Sequence, residues 1–555
     1  MPPPGLLLRI VLTILLSLFL SERYVKSRRS GATSNSALAA DTIRRVALTL
    51  SVFWIACWCA ISVARLHFPF ELEWIGGAMH DHCMRILHGD PLYVPPGGGW
   101  FPYEYPPVYF LVSGTLMRWM HDDTFVPMRL VSIFSTVGSA YVVFLWTRSL
   151  VMPYCVVDRP ATRSIPGCWG FLAAGIFVAT YRFTGAWYDA ERLDMLFIFL
   201  SLCGGYLLHT GDTCSVKEGN AGRNSIYACF YTVAAACLLS VAFFTKQQAI
   251  LFAIGGAGAL FFRRAYIRLG AFVGTSVIID WLAVRQLNVT SNNWFSYYCF
   301  KVPLANGIRI PLALQFVFAD IPLYAAVILL GAVAIKASTS RQADMLASAP
   351  VNSIVCTRDA VFIGVFLMGL LGSMLSRAHW GGAENVLIAG YVVLAMAGCA
   401  LAGRRICIDG CGAIWLYMLV ICQFVAVAYR PDLQVPREKN RVAAERYRSL
   451  IQRLEHEGEV ICLDHGGQTS VPHFQIMGLL DVMGTEKQVP DEIVQALRSH
   501  RYAVVVTDAS PNATGLMKEV LKYYPNVESA RLEDTWVVTG FPTPSPQRSV
   551  YILRP

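Results

Sequence analysis

The residues that could do chemistry are ionisable side chains at the edges of long apolar blocks, where charge is costly and marks function by default. Glu71 and Glu73 stand in Phe70-Glu-Leu-Glu-Trp74, just after one such block. Two carboxylates at that spacing can hold a divalent cation, or supply one base and one orienting group. A solvated loop with incidental acids is the plainer alternative; the aromatic flanks and the membrane-edge position favour chemistry. Glu104 lies in Phe101-Pro-Tyr-Glu-Tyr-Pro-Pro-Val-Tyr109. The Pro-Pro step fixes an extended approach to a helix, and Glu104 reads equally as a snorkelling rim acid or a group facing a cavity. Trp187-Tyr-Asp-Ala-Glu-Arg-Leu-Asp194 carries Asp189, Arg192 and Asp194. Asp194 at a helix start also suits the helix dipole, whereas a guanidinium between acids suits a phosphate ligand. Lys246, in a short loop between two apolar blocks, can snorkel or meet a phosphate headgroup. Ser376-Arg-Ala-His-Trp-Gly-Gly-Ala-Glu-Asn385 places Arg377, His379, Glu384 and Asn385 beside a Gly381-Gly382 step that permits close backbone approach. His80, His82 and His88 read as surface residues of an amphipathic segment, not as a metal cluster.

The elements that must position these groups are membrane helices. Of 555 residues, 55% are hydrophobic and 15% charged, too few charges to cover a soluble protein of this length. Apolar blocks close to the ~20 residues of a spanning helix are expected near 46–66, 126–147, 166–186, 193–209, 226–244, 249–263, 269–285, 311–335, 358–375, 386–403 and 411–429. The fold class expected is a polytopic α-helical membrane protein, of about 11–12 transmembrane helices, with a small C-terminal extramembrane α/β domain. Loops bearing Arg148, Arg159 and Arg163, Lys217 and Arg223, Arg263, Arg264 and Arg268, Lys336 and Arg341, and Arg404 and Arg405 fall on the side of Arg44 and Arg45, which the positive-inside rule makes cytoplasmic. That alternation requires 106–120 to be an interfacial helix, and it puts every acidic or basic segment above on the opposite face. The net charge of +9 then needs no nucleic acid to explain it. Most of the 16 cysteines (Cys57, Cys59, Cys203, Cys229, Cys237 and Cys399 among them) lie in apolar blocks and behave as small hydrophobes, and no zinc-type spacing occurs.

Three units are expected: 1–45, a hydrophobic extension (Leu6–Leu20, not cleaved) with a basic cytoplasmic segment; 46–430, the transmembrane domain, with a first outer loop at 67–125; and 431–555, a non-cytoplasmic α/β domain. In the last, helices are expected at 440–456, 491–500 and 516–523 and strands at 459–463, 502–507 and 549–553. It contains no Gly-rich phosphate loop, so no catalysis is assigned to it. Asn288 and Asn512 head glycosylation sequons.

Taken in order, these segments resemble the type C glycosyltransferases, specifically the protein-O-mannosyltransferase-like and aminoarabinose-transferase-like branch. The resemblance covers roughly 46–430. Glu71/Glu73 match an acidic pair after the first span, and Tyr105-Pro-Pro-Val-Tyr-Phe110 an interfacial Pro-Pro-aromatic helix. Arg192-Leu-Asp194 matches an Arg-x-Asp element, Lys246-Gln247 a Lys-Gln pair, and His379 to Leu387 a His-x-Gly-Gly-x-x-Asn-x-Leu element. Three positions depart from the pattern: Glu71 in place of Asp, Gly76 where relatives often carry another acid, and Glu384 in place of Asp. The resemblance implies inverting transfer of one sugar from a polyprenyl-phosphate donor to a glycan, lipid or protein acceptor on the outer face. Glu73, or else Glu71, would deprotonate the acceptor hydroxyl. Arg192 and Lys246, with His379, would stabilise the departing phosphate, while Glu104, Asp189, Asp194 and Asn385 would shape the pocket. A divalent cation on Glu71 and Glu73 stays an open alternative.

Two other classes compete. A transporter or flippase of lipid-linked saccharides could use the same rim without chemistry, yet transporters place polar residues at the midplane of repeated halves, and no repeat is evident. O-antigen ligases or polymerases carry their large outer loop in the second half of the chain. An inactive relative is a further alternative. The expected location is a bacterial inner membrane with a periplasmic tail; the alternative is the endoplasmic reticulum with a luminal tail.

Overall fold

A computed structural model describes residues 11–23, 34–73, 75–96, 100–155, 163–216, 221–305, 307–332, 359–379, 382–409, 413–463, 476–486, 488–508, 515–532 and 549–555. Outside them lie the start of Leu6–Leu20, the basic residues Lys26, Arg28, Arg29, Arg159, Lys217, Lys336 and Arg341, and also Gly381 and Asn512.

The helices are α1 (11–23), α2 (Ser34–Leu66), α3 (Gly76–His88), α4 (Val108–Met120), α5 (Val126–Val151), α6 (Ile165–Ala179), α7 (Asp194–Val216), α8 (Ala221–Phe243), α9 (Ala249–Phe262), α10 (Tyr266–Thr290), α11 (Ile310–Ala332), α12 (Ala360–Ala378), α13 (Ile388–Asp409) and α14 (Ala413–Ala426). Among the described residues, nine helices are long and apolar enough to cross a membrane, and α6 and α9 are shorter apolar helices. The chain is a multi-pass integral membrane protein. Its interior is apolar, with Trp146, Trp169 and Tyr417 buried, and so is its perimeter. Phe53, Phe134, Phe230, Ile254 and Trp281 are exposed around the helical layer, an arrangement that lipid solvates and water does not. α10 buries only Arg268 and Phe272 and runs along that perimeter.

Contacts sort the helix ends into two groups. At one end, Arg129 in α5 meets residues 65–70, and Lys246, before α9, meets Asp194 at the start of α7. At the other, Asp212 in α7 binds Arg263 and Arg268, and Arg404 in α13 binds Asp359 and the Leu150 carbonyl. Cys155 and Cys407 form a disulfide at this second end, their Cα atoms 4.9 Å apart.

Four details differ from the expected elements. α2 starts at Ser34, not Val46, because Asp41 pairs with Arg44 and Arg45 one turn on and lets the helix run through its basic residues. The span expected at 166–186 stops at Ala179, and a 3-10 turn, Tyr181–Thr184, leads to Gly185 and Ala186, both at positive φ. α4 is the short helix expected after the Pro-Pro step, and its Arg118 donates to the Leu87 carbonyl of α3. His82 of α3 is fully buried, not a surface residue. Its Nδ1 donates to the Ala78 carbonyl, its Nε2 accepts the Tyr103 N–H, and its ring lies against Trp100 and Phe110.

The tail comprises α15 (Glu438–Leu454), β1 (Val460–Cys462), α16 (Ile476–Glu486), α17 (Asp491–Arg498), β2 (Val504–Thr507), α18 (Gly515–Tyr523), β3 (Asn526–Arg531) and β4 (Ser549–Arg554). The sheet order is β1-β2-β4-β3, with β1 parallel to β2 and the other pairs antiparallel. α16 and β3 are additions to the expected elements. Successive strand residues point to opposite faces. Val460, Cys462, Val504, Val506, Val550 and Ile552 meet α15, whereas Ile461, Val505 and Leu553 share a core with α16–α18.

Where α9 and α12 cross, two glycine backbones meet. A Cβ on Gly255 would lie 2.5 Å from the Gly364 carbonyl oxygen, and a Cβ on Gly364 would meet the Gly255 carbonyl in turn. Neither backbone can yield, so Gly364→Val should cost about 1–3 kcal/mol and lower the melting temperature in detergent. Gly258→Ala, on the same α9 but facing open space, should leave it unchanged or raise it.

Candidate active site

The site is built where α2 ends and α5 begins. Arg129, in the first turn of α5, is fully buried. Its Nη1 donates to the carbonyls of Arg65 (3.0 Å), Leu66 (3.2 Å) and Phe68 (2.5 Å), and its Nη2 to that of Phe70 (2.6 Å). Nε pairs with Glu191 Oε2 at 2.8 Å. One guanidinium therefore fixes the path of the chain as it leaves α2, using the fan of donors that only Arg has. The other Glu191 oxygen accepts the Leu72 N–H at 2.7 Å. A Cβ at residue 76 would collide with that same oxygen, so Glu191 fills the space beside Gly76. Arg65 completes the frame by pairing with Asp189 (3.0 Å) and donating to the Ala186 carbonyl (3.0 Å), which braces the left-handed Ala186.

The frame separates the two acids of the Glu71/Glu73 pair. Glu71 is buried and accepts the Gly77 N–H at 2.9 Å at the start of α3. Glu73 is buried and faces Arg192, whose Nη1 lies 3.3 Å from its Oε1. With one carboxylate on a guanidinium and the other on an amide, the pair does not fit a divalent cation in this arrangement. Among the described residues, no group of three or more His, Cys, Asp or Glu is arranged to hold a metal ion.

Arg192 is sandwiched. Its guanidinium lies over Trp187 (4.4 Å) and Tyr105 (6.0 Å), and its Nε is 3.6 Å from Asp194 Oδ2. Asp194 Oδ1 accepts from Lys246 Nζ (2.6 Å) and from Asn385 Nδ2 (2.8 Å). Four elements widely separated in sequence thus converge on one carboxylate: the loop before α7, the α8–α9 loop, the α12–α13 loop and, through Arg192, the Glu73 segment. Lys246 is 9% exposed, so it is a buried cation with a fixed partner and does not snorkel. The next residue, Gln247, donates to the Glu104 and Cys299 carbonyls, and the Val108 N–H donates to the Phe244 carbonyl, so the lysine loop is stitched to the Pro-Pro segment. Glu104 Oε2 is buried with no hydrogen-bond partner among the described residues.

Two acids here are displaced from ordinary behaviour. Burial pushes the Glu73 carboxyl up to about 7, against the pull of Arg192 and aided by the Glu191 charge. Burial likewise pushes Glu104 up to about 7, against Lys246. Both are poised to exchange protons near neutrality, as general bases and acids are.

His379 takes a different place: its Nε2 lies 2.9 Å from the Pro303 carbonyl, and its backbone pairs with Ile308. Arg377 binds Asp320 at 3.0 Å and the Gly382 carbonyl at 2.8 Å, and so shapes the α12–α13 loop. Asp189 belongs to the Arg65 frame, with Tyr181 OH at 2.9 Å. Asn288, at the end of α10, is held by both its side-chain atoms to Ser296. Three residues escaped the sequence reading: Arg65, Arg129 and Glu191. The first two lie within apolar blocks, where any charge is a signal. Glu191 adjoins Arg192 and was passed over for its neighbours.

The chain matches no family model and no curated protein. Among solved structures it is similar to ArnT from Cupriavidus metallidurans bound to undecaprenyl phosphate (14% identity, TM-score 0.44, 90% of this chain and 97% of that one). It is similar also to the apo state of that ArnT (13%, TM-score 0.45, 90% and 98%) and to the apo Archaeoglobus fulgidus oligosaccharyltransferase (10%, TM-score 0.47, 92% and 75%).

Replacing Arg129 by Lys keeps the charge but cannot reach four carbonyls and Glu191 at once. Buried acceptors left unpaired cost about 1–3 kcal/mol each, so Arg129→Lys should lower the detergent melting temperature by many degrees. Arg437→Lys, on the exposed tail surface, should leave it unchanged.

Proposed function

We propose that this chain is a membrane glycosyltransferase that moves a sugar from a polyprenyl-phosphate donor to an acceptor, with inversion. The observation that carries the reading is the buried convergence of Arg192, Lys246 and Asn385 on Asp194, with the near-neutral Glu73 alongside. Two fixed cations at a membrane edge suit a lipid phosphate, and Asp194 keeps them charged and aimed when no phosphate is bound. Glu73 takes the proton from the acceptor hydroxyl as that oxygen bonds to the anomeric carbon. The bond from this carbon to the phosphate oxygen breaks, and the departing electron pair rests on a phosphate faced by Arg192 and Lys246. Glu104 and Asn385 would shape the sugar and acceptor pocket. Glu71 orients α3, and Asp189 and His379 support the surrounding loops.

The units are 1–45, 46–430 and 431–555, with the site and the tail on the non-cytoplasmic face. The basic loops at the opposite helix ends support that orientation. A bacterial inner membrane with a periplasmic tail fits it, and an endoplasmic reticulum membrane with a luminal tail is the alternative. The acceptor is a glycan, lipid or protein.

The test is transfer of radiolabelled sugar from polyprenyl-phosphate-sugar donors into membrane acceptors. Glu73→Gln should reduce turnover by at least about a hundredfold. Glu71→Gln, which still accepts the Gly77 amide proton, should lose less. Equal labelling by wild type, both variants and empty membranes rejects the enzyme and favours a transporter. A base must be ionised, and the Glu73 carboxyl is raised, so the rate should fall as pH drops through about 7. An acid limb near the ordinary carboxylate range of about 4–5 would remove Glu73 from that role.

A further inference from the structure

The segment that carries Glu73 is held from two sides, and one of them is the tail. Residues 70–73 alternate apolar and acidic, and all four are buried. The acids face the helical layer: Glu71 meets the start of α3 and Glu73 meets Arg192. Phe70 and Leu72, with Phe68, are in a different core. They cluster with Ala443, Tyr447 and Leu450 of α15 and with the sheet residues Val504 and Ile552. Arg448 of α15 lies over the Phe70 ring at 4.7 Å. This face of the sheet is thus covered by α15 together with residues from the far N-terminal part of the chain.

We infer that the C-terminal domain is a clamp on the acidic segment, and that its grip on Phe70 and Leu72 positions the Glu73 carboxylate for reaction. The role assigned to Glu73 rests on the glycosyltransfer reading; the clamp itself does not. The alternation converts packing into aim. Phe70 and Leu72 face the tail while Glu71 and Glu73 face the helical layer, so a shift of the segment by one position would exchange the acids with Phe70 and Leu72. Burying the two apolar side chains opposes that shift, and the Glu191 contact with the Leu72 N–H and the Arg129 contact with the Phe70 carbonyl oppose it from the other side. The tail is then a positioning element of the site, although none of its described residues bonds to Glu73, Arg192, Asp194 or Lys246 in the contacts above. The opposite face of the sheet, against α16–α18, offers an internal control. Leu497 of α17 is equally buried there and does not share the core of Phe70 and Leu72.

The experiment compares full-length wild type, Leu72→Ala, Arg448→Met and Leu497→Ala in detergent. Hydrogen–deuterium exchange of the peptide over 66–78 reads the clamp without any donor, and transfer assays read its consequence. Leu72→Ala should expose that peptide to exchange and lower kcat at least tenfold with little change in donor KM. It should also move the acid limb below that of wild type, because Glu73 becomes less buried. Arg448→Met, a milder change that leaves the fold intact, should show the same pattern at two- to fivefold. Leu497→Ala should loosen only its own face and keep wild-type kcat at permissive temperature. The clamp is overturned if Leu72→Ala and Arg448→Met leave exchange and kcat unchanged, or if Leu497→Ala reproduces their effects. A wild type with no transfer activity on any polyprenyl-phosphate sugar rejects the enzyme reading instead, and the exchange comparison still decides the clamp.

Discussion

The structure turns on the burial of Arg129. A guanidinium cannot shed its proton, so once inside the protein it must find acceptors for its donors. It finds a carboxylate in Glu191 and four main-chain carbonyls in residues 65–70. Those carbonyls belong to the chain leaving α2, where helical bonding has ended and the C=O groups would otherwise be orphaned. Satisfying the cation and satisfying the helix end are one event, and it sets the direction in which Phe70-Glu-Leu-Glu leaves the bundle. Everything downstream inherits this direction: the seat of Leu72 in the tail, the approach of Glu73 to Arg192, and the start of α3 on Glu71.

Around that point the charges form alternating chains. Arg65 reaches Asp189; Arg129 reaches Glu191; Arg192 lies between Glu73 and Asp194; and Asp194 continues to Lys246. No single pair of this kind adds much stability once desolvation is counted, but each fixes geometry because breaking it strands a buried charge. The network sits at one end of the helices. The opposite end has its own separate knots in Asp212 with Arg263 and Arg268, and Asp359 with Arg404. Between the two ends the helices pack through apolar side chains such as Val143, Leu202 and Leu239.

The helices were legible because lipid imposes length and apolarity on every span, and among the described residues nine of the eleven expected blocks meet those demands. Boundaries were less so. α2 reaches back to Ser34 through a local Asp41 pairing, and α6 gives way to a tight turn that hydropathy does not register. β3 stayed hidden because its Asn-Val-Glu-Ser-Ala-Arg sequence is an almost wholly exposed edge strand. In the site, Glu73, Arg192, Asp194, Lys246 and Asn385 stood out as charged or polar residues at block ends, and they do converge in space. What the sequence could not carry was the pairing. Nothing local says that Glu71 caps α3 while Glu73 faces Arg192, or that His82 is enclosed by Trp100 and Phe110. Glu191 was overlooked because its importance lies in Leu72, Gly76 and Arg129, all remote from it in the chain.

The shared core of Phe70, Leu72 and α15 also orders events during synthesis. Leu72 leaves the ribosome hundreds of residues before Tyr447, with the bundle still to be inserted. Until α15 and the sheet are made, the apolar side of the acidic segment lacks its cover of Tyr447, Leu450, Val504 and Ile552. A chain still being translated therefore meets the Arg129 frame first and gains the tail's cover on Phe70 and Leu72 only after the helical layer has been made.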